Sequence, residues 1–112
     1  MNYYIYPGLK IQPPIKRVSL DALAKLTVEF YGLSLKDFQG KTRTMYLVTA
    51  RFFFMEFCYR HSGFILREIG GYLNRDHTTV INGLVTFKNR SQTEYEYREQ
   101  WNSYYRFIQA NK

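Results

Sequence analysis

The amino-acid sequence predicts an all-α domain of five to six helices, and three observations predict it. Apolar side chains recur at three- and four-residue steps in several separate stretches. Helix-capping residues stand before several of these stretches and glycines stand after several. No strand-like alternation persists anywhere along the 112 residues. That length fits a single domain. With 46% apolar and 22% charged residues, the composition is that of a globular chain rather than a disordered one. Aromatic residues make up 19%, enough to fill a compact core with rigid rings and to leave some facing outward.

Residues 1–18 carry Pro7, Gly8, Pro13 and Pro14 without helical period, and read as an extended N-terminal arm. Its aromatic start, Tyr3, Tyr4, Ile5 and Tyr6, reads as a strap packed on the domain. Ser19 precedes Leu20, Leu23, Thr27 and Phe30, with Leu26 and Tyr31 beside them and Gly32 behind, which predicts a helix over about 20–31. Ser34-Leu35-Lys36-Asp37 is a Ser-x-x-acid start, and Gly40 keeps the helix it opens to one or two turns. From residue 45 to about 61, Val48, Phe52, Met55 and Tyr59 form an apolar stripe that Phe54, Phe57 and Cys58 widen. This predicts a helix in the middle of the domain, covered on most sides and ended by Gly63.

Two shorter helical stretches follow, over about 65–73 and 77–90, joined by the turn Asn74-Arg75-Asp76 in a helix-turn-helix spacing. Asp76 suits the N-cap of the second helix. Val80, Ile81, Leu84 and Phe87 read as its inward face, with His77, Thr78 and Thr79 on its first turn. Tyr97, Trp101, Tyr104 and Ile108 mark a C-terminal helix over about 92–109. The expected organisation is an arm over 1–18, a helix-turn-helix domain over 19–90, and a helix within 91–112 that packs on the domain or serves dimerisation.

Several function classes are excluded as expectations. A single cysteine, Cys58, allows no internal disulfide framework and no usual structural zinc cluster. The first ten residues lack a secretory pattern and no apolar run approaches the roughly 20 residues of a membrane span, so the chain reads as cytoplasmic with no membrane partner. His61 and His77 are the only histidines and have no paired-ligand spacing, so neither a metal nor a catalytic constellation is expected. His61 reads as a cation favourable to a helix C-terminus. Gly40-Lys41-Thr42 resembles the end of a phosphate-binding loop, but the earlier glycine such a loop needs would fall at Leu35 and no strand precedes it. No ATP, other cofactor or small-molecule substrate is expected, and the chain reads as a non-enzyme.

Sixteen Lys and Arg against nine Asp and Glu make the formal charge +7. Residues 41–90 hold eight basic and three acidic side chains, while the positive and negative charges of 91–112 balance. A basic middle suits a polyanion, because neutralising phosphates releases condensed counterions. The most informative stretch is Glu68-Ile69-Gly70 followed by Arg75-Asp76-His77-Thr78-Thr79-Val80. With Val28-Glu29-Phe30-Tyr31, Lys41-Thr42-Arg43 and Ala50-Arg51 in the same order, it resembles the C-terminal DNA-binding domain of the bacterial replication initiator family DnaA, from about residue 22 to 87.

The resemblance implies an all-α, Trp-repressor-like fold of the DnaA C-terminal type and sequence-specific binding of double-stranded DNA, in replication initiation or transcription control. The second helix of the helix-turn-helix would lie in the major groove, with Asp76, His77, Thr78 and Thr79 at the bases. The residue chemistry agrees: each threonine offers a hydroxyl and a methyl, His77 offers ring nitrogens, and Asp76 can cap the helix and accept from cytosine. Arg43 corresponds to a basic-loop arginine that enters the minor groove, Lys41 would serve the backbone, and Arg51 matches a DNA contact from the long helix. Arg75 reads as a phosphate contact or a structural group. Arg60, Arg67, Lys88 and Arg90 read as solvated charges. Three departures stand out: Phe52 replaces a usually polar residue, the loop around Asn74 is one residue shorter, and Thr42 and Thr44 stand where the family's basic loop is richer in arginine. The alternative reading is a protein-interaction module that uses the aromatic arm and the last helix. A homodimer through that helix would present two readers to two half-sites.

Overall fold

The computed structural model describes residues 18–112, and the arm expected over 1–18 lies, except for Val18, outside the described residues. The described residues form six α-helices and one π-helical turn, with no strand. Helix α1 spans Leu20–Tyr31; Ser19 Oγ accepts from the Ala22 N–H at 3.1 Å. Its end is set by Gly32 at φ 67°, a left-handed position open to glycine without a Cβ penalty. Helix α2 (Leu35–Gln39) is capped by Ser34 and confined to five residues. Helix α3 (Met45–Glu56) begins at Thr44, whose Oγ1 accepts from Leu47 N–H.

The long middle helix departs from expectation in two ways. It is α-helical only to Glu56 and passes into a π turn over Phe57–His61, closed by Phe64 N–H donating to Cys58 O at 3.0 Å. The wider turn keeps both Phe57 and Cys58 fully buried while the chain swings round to Gly63 at φ 72°. The buried face also overlaps the predicted one only in part. Phe54, Met55, Phe57 and Cys58 are enclosed as expected and so are Leu47, Ala50 and Phe53, whereas Val48 and Phe52 are half-buried and Tyr59 is exposed. Helices pack against α3 from several sides, so periodicity alone selects no single face.

Helix α4 (Leu66–Tyr72) starts where Ile65 N–H donates to Glu68 Oε1 at 3.0 Å. Helix α5 (His77–Thr93) runs past its predicted end and takes in the residues where the last helix was expected to begin, so helix α6 (Tyr95–Asn111) starts and ends later than predicted; the two meet at the single extended residue Glu94. Arg90 is therefore no free surface charge. It holds Glu94 through two hydrogen bonds, at 3.0 and 2.8 Å, and its guanidinium lies 4.2 Å from the Tyr97 ring centroid. Arg60 is likewise tied, to the buried Glu56 at 3.1 Å.

The core is aromatic. Phe53 is fully buried, with Tyr31, Phe87, Tyr97, Trp101 and Tyr104 around it at centroid distances of 5.2–6.4 Å. Tyr104 from α6 reaches α1, where its hydroxyl shares a 2.8 Å hydrogen bond with the buried Thr27. Through Tyr97, Tyr104 and Ile108, α6 closes the core against α1 and α5. Tyr105 packs on Phe57, His61 and Trp101, while Tyr95 stays exposed under Arg98.

His61 ends the π turn, the helix-terminal place expected for it, but its surroundings disfavour the cation. Its ring lies against Tyr105, Phe57 and Trp101, and burial, with Arg60 and Lys112 nearby, holds its pKa below the ordinary histidine value. A depressed folded pKa means that His61 contributes stability above its unfolded pKa and loses it as pH falls through the folded one. The melting temperature is expected to fall as pH goes from about 7.5 to about 5. His61→Gln should flatten that slope in a series of thermal melts; an unchanged slope would clear His61 of the effect.

Candidate nucleic-acid interface

The helix-turn-helix is assembled by a close approach of backbones. A Cβ built on Gly70 of α4 would stand 2.6 Å from Arg75 O and 3.3 Å from Asp76 C, so only glycine lets the turn lie so near the helix before it. Asn74 takes φ 60° in that turn, a left-handed conformation asparagine tolerates. Asp76 then caps α5: its Oδ1 accepts from the Thr79 N–H at 3.0 Å and from Thr79 Oγ1 at 3.2 Å. These hydrogen bonds hold the Asp76 carboxyl below the usual carboxylate range.

The cap presents the first turn of α5 outward, with His77 and Thr78 exposed and Thr79 half-buried at the flank toward α3. The partial positive charge of the helix N-terminus points the same way. Lys41 and Arg43 are exposed on the loop between α2 and α3. Arg51 sits differently. Only 3% exposed, it donates from Nε to Phe38 O at 2.9 Å and from Nη2 to Asp37 O at 2.7 Å and Gly40 O at 3.3 Å. Arg75, half-buried, donates to Leu73 O at 2.6 Å and to the same Gly40 O at 2.7 Å.

Arg43, Arg51 and Arg75 line one cavity of about 250 Å³ with Val48, Phe52, Met55, Thr79, Asn82, Gly83 and Thr86. No carboxylate is among its lining residues. Burial, reinforced by Arg75 and Arg43, pushes the Arg51 guanidinium down to about 10, still charged at neutral pH. Of these three guanidiniums, those of Arg51 and Arg75 are bonded to backbone carbonyls, and Arg43 is the exposed one.

Residue periodicity misassigned one position and missed others. Ile81 is 40% exposed rather than inward, as is Val85 at 52%. Its expected place in the core is taken by Gly83, over which Phe52 and Met55 of α3 pass so closely that a Cβ would be 3.1 Å from Phe52 Cδ1. This contact also explains Phe52: its ring serves the helix crossing. Asn82 and Thr86 follow Thr79 in successive steps of three and four residues, a polar stripe legible in the sequence once α5 is known to border the cavity.

Comparison with known proteins gives a consistent result. A family model described as the bacterial DnaA protein helix-turn-helix matches residues 20–86. The chromosomal replication initiator protein DnaA of Flavobacterium psychrophilum is 32% identical over 85 residues, covering 75% of this chain and 18% of that protein. The protein of the same name from Roseiflexus castenholzii is 33% identical over 86 residues, covering 76% of this chain and again 18% of the relative. The chain thus spans less than a fifth of the length of these relatives.

Proposed function

Because the chain belongs to the bacterial DnaA helix-turn-helix family, we propose that it binds double-stranded DNA sequence-specifically, in control of replication initiation or transcription, without ATP hydrolysis. One observation carries the reading: the capped first turn of α5 borders a cavity with three guanidiniums and no carboxylate. In this proposal α5 docks in the major groove, where His77, Thr78 and Thr79 read base edges and Asp76 holds the turn with accessory readout. Arg43 enters the adjacent minor groove, and Lys41 meets the backbone.

The test is fluorescence anisotropy with a duplex carrying the initiator family's nonamer box, beside a shuffled duplex, at two salt concentrations. Preference for the box is expected, and His77→Ala or Thr79→Ala should each reduce it by roughly 1–3 kcal/mol per lost base contact. Lys41→Ala should weaken both duplexes alike. Equal, strongly salt-dependent binding to both would reject nonamer recognition and send the search to random-site selection. Binding to neither would favour the interaction-module reading.

Ile81 supports a finer expectation. It lies one turn beyond His77 on the exposed side of α5, and an aliphatic group there suits a thymine methyl. Replacing thymines in the bound duplex by deoxyuridine, which lacks that methyl, should weaken the native chain and leave Ile81→Ala less affected. Equal losses in both would remove Ile81 from base reading.

A further inference from the structure

Two segments far apart in the chain are bonded together immediately beside the two DNA-reading elements. Gln39 Nε2 donates to Tyr72 O at 2.8 Å, and Asn74 Nδ2 donates to Gln39 O at 3.3 Å. Arg75 bridges Leu73 O and Gly40 O, and Arg51 reaches the same Gly40 carbonyl from beneath. Gly40 directly precedes the Lys41–Arg43 loop, and Arg75 lies two residues before α5. One carbonyl therefore receives guanidinium donors from both the long helix and the helix-turn-helix turn.

This arrangement is costly as a means of stability alone. The two guanidiniums are buried or half-buried, neither has a carboxylate bonded to it, and each could have reached solvent on a long flexible stem. Each instead spends its planar fork on backbone carbonyls, a geometry an ammonium group cannot reproduce across two acceptors. Gly40 also closes α2 tightly, since a Cβ there would stand 2.9 Å from Lys36 O.

We propose that Arg51 and Arg75 are positioning residues for DNA recognition, clamping the basic loop to the recognition helix through Gly40 so that minor-groove and major-groove reading occur in one fixed register. The inference rests on the DNA-binding reading above. It replaces direct phosphate contact by Arg51 and Arg75 with control over where Arg43 stands. Arg43 follows Gly40 by three residues, so a loosened Gly40 releases it.

The test is a double-mutant cycle between Arg43→Ala and Arg75→Lys, read by anisotropy on the preferred duplex, with circular dichroism and thermal melts on each variant. In the native chain Arg43→Ala should cost roughly tenfold in affinity. In the Arg75→Lys background the same change should cost about threefold or less, because the lysine keeps the charge but not the fork. Gln39→Ala, which removes a clamp bond without altering charge, should shrink the Arg43 effect in the same direction and carries the cycle if Arg75→Lys does not fold. A duplex with one base pair inserted between the A·T-rich part and the part read by α5 should be rejected by the native chain and better tolerated by the clamp variants. An undiminished Arg43 effect in Arg75→Lys and Gln39→Ala overturns the clamp. Absence of any duplex preference in the native chain would instead overturn the DNA-reading proposal, and the two failures are distinct.

Discussion

Phe53→Ala is expected to lower the unfolding free energy by about 3–5 kcal/mol, the range for truncating a fully enclosed phenylalanine. Phe53 touches rings from α1, α5 and α6, so the cavity would open where those helices meet and no single neighbour could fill it. A domain of this size has a total stability of about 5–15 kcal/mol, and the loss is a large share of it. Urea titration followed by helical circular dichroism measures it. Tyr95→Ala is the companion control, since Tyr95 is 67% exposed and its loss should be nearly neutral. A Phe53→Ala loss below about 1.5 kcal/mol would mean that the surrounding helices collapse onto the gap.

Gly70→Ala and Gly71→Ala should have opposite effects although the two residues are adjacent. At Gly70 the new methyl meets the Arg75 carbonyl at 2.6 Å and backbone must move. The expected cost is about 1–3 kcal/mol, on the order of 5–20 °C in Tm. The displaced turn carries α5 with it, so DNA preference should fall more than tenfold at temperatures where the variant remains folded. At Gly71 nothing lies within 4 Å, and alanine should stabilise α4 by about 0.5–1 kcal/mol with DNA binding unchanged. Similar melting temperatures for the two variants would show that the turn yields easily and that the approach at Gly70 does not set the aim of α5.

Much of the helical framework could be read from local chemistry. Ser19, Ser34 and Asp76 each bond the backbone of the helix they precede, and this depends on residue type and sequence distance alone. Helix ends were less legible, because their causes lie across space. Helix α5 continues to Thr93 while Arg90 pairs with Glu94 and lies on Tyr97, which belongs to the next helix. The π turn at Phe57–His61 has no residue signature, and its rings pack on Trp101 and Tyr105 of α6, far along the chain.

The candidate site divides along the same line. Local order in the chain was enough for an all-helical domain, a capped first turn at His77–Thr79, and a basic loop holding Lys41 and Arg43, since propensity, capping and charge act over a few residues. The arginines could not be sorted in that way. Arg51 and Arg43 look equally available in one dimension, yet Arg51 is held inside by carbonyls 11 to 14 residues before it and Arg43 is left outside. Ile81 faces outward because Gly83 lets α3 pass beneath α5. Which face of a helix is buried, and whether a guanidinium meets solvent or backbone, depends on close packing between elements distant in sequence, and that information exists only once they are in contact.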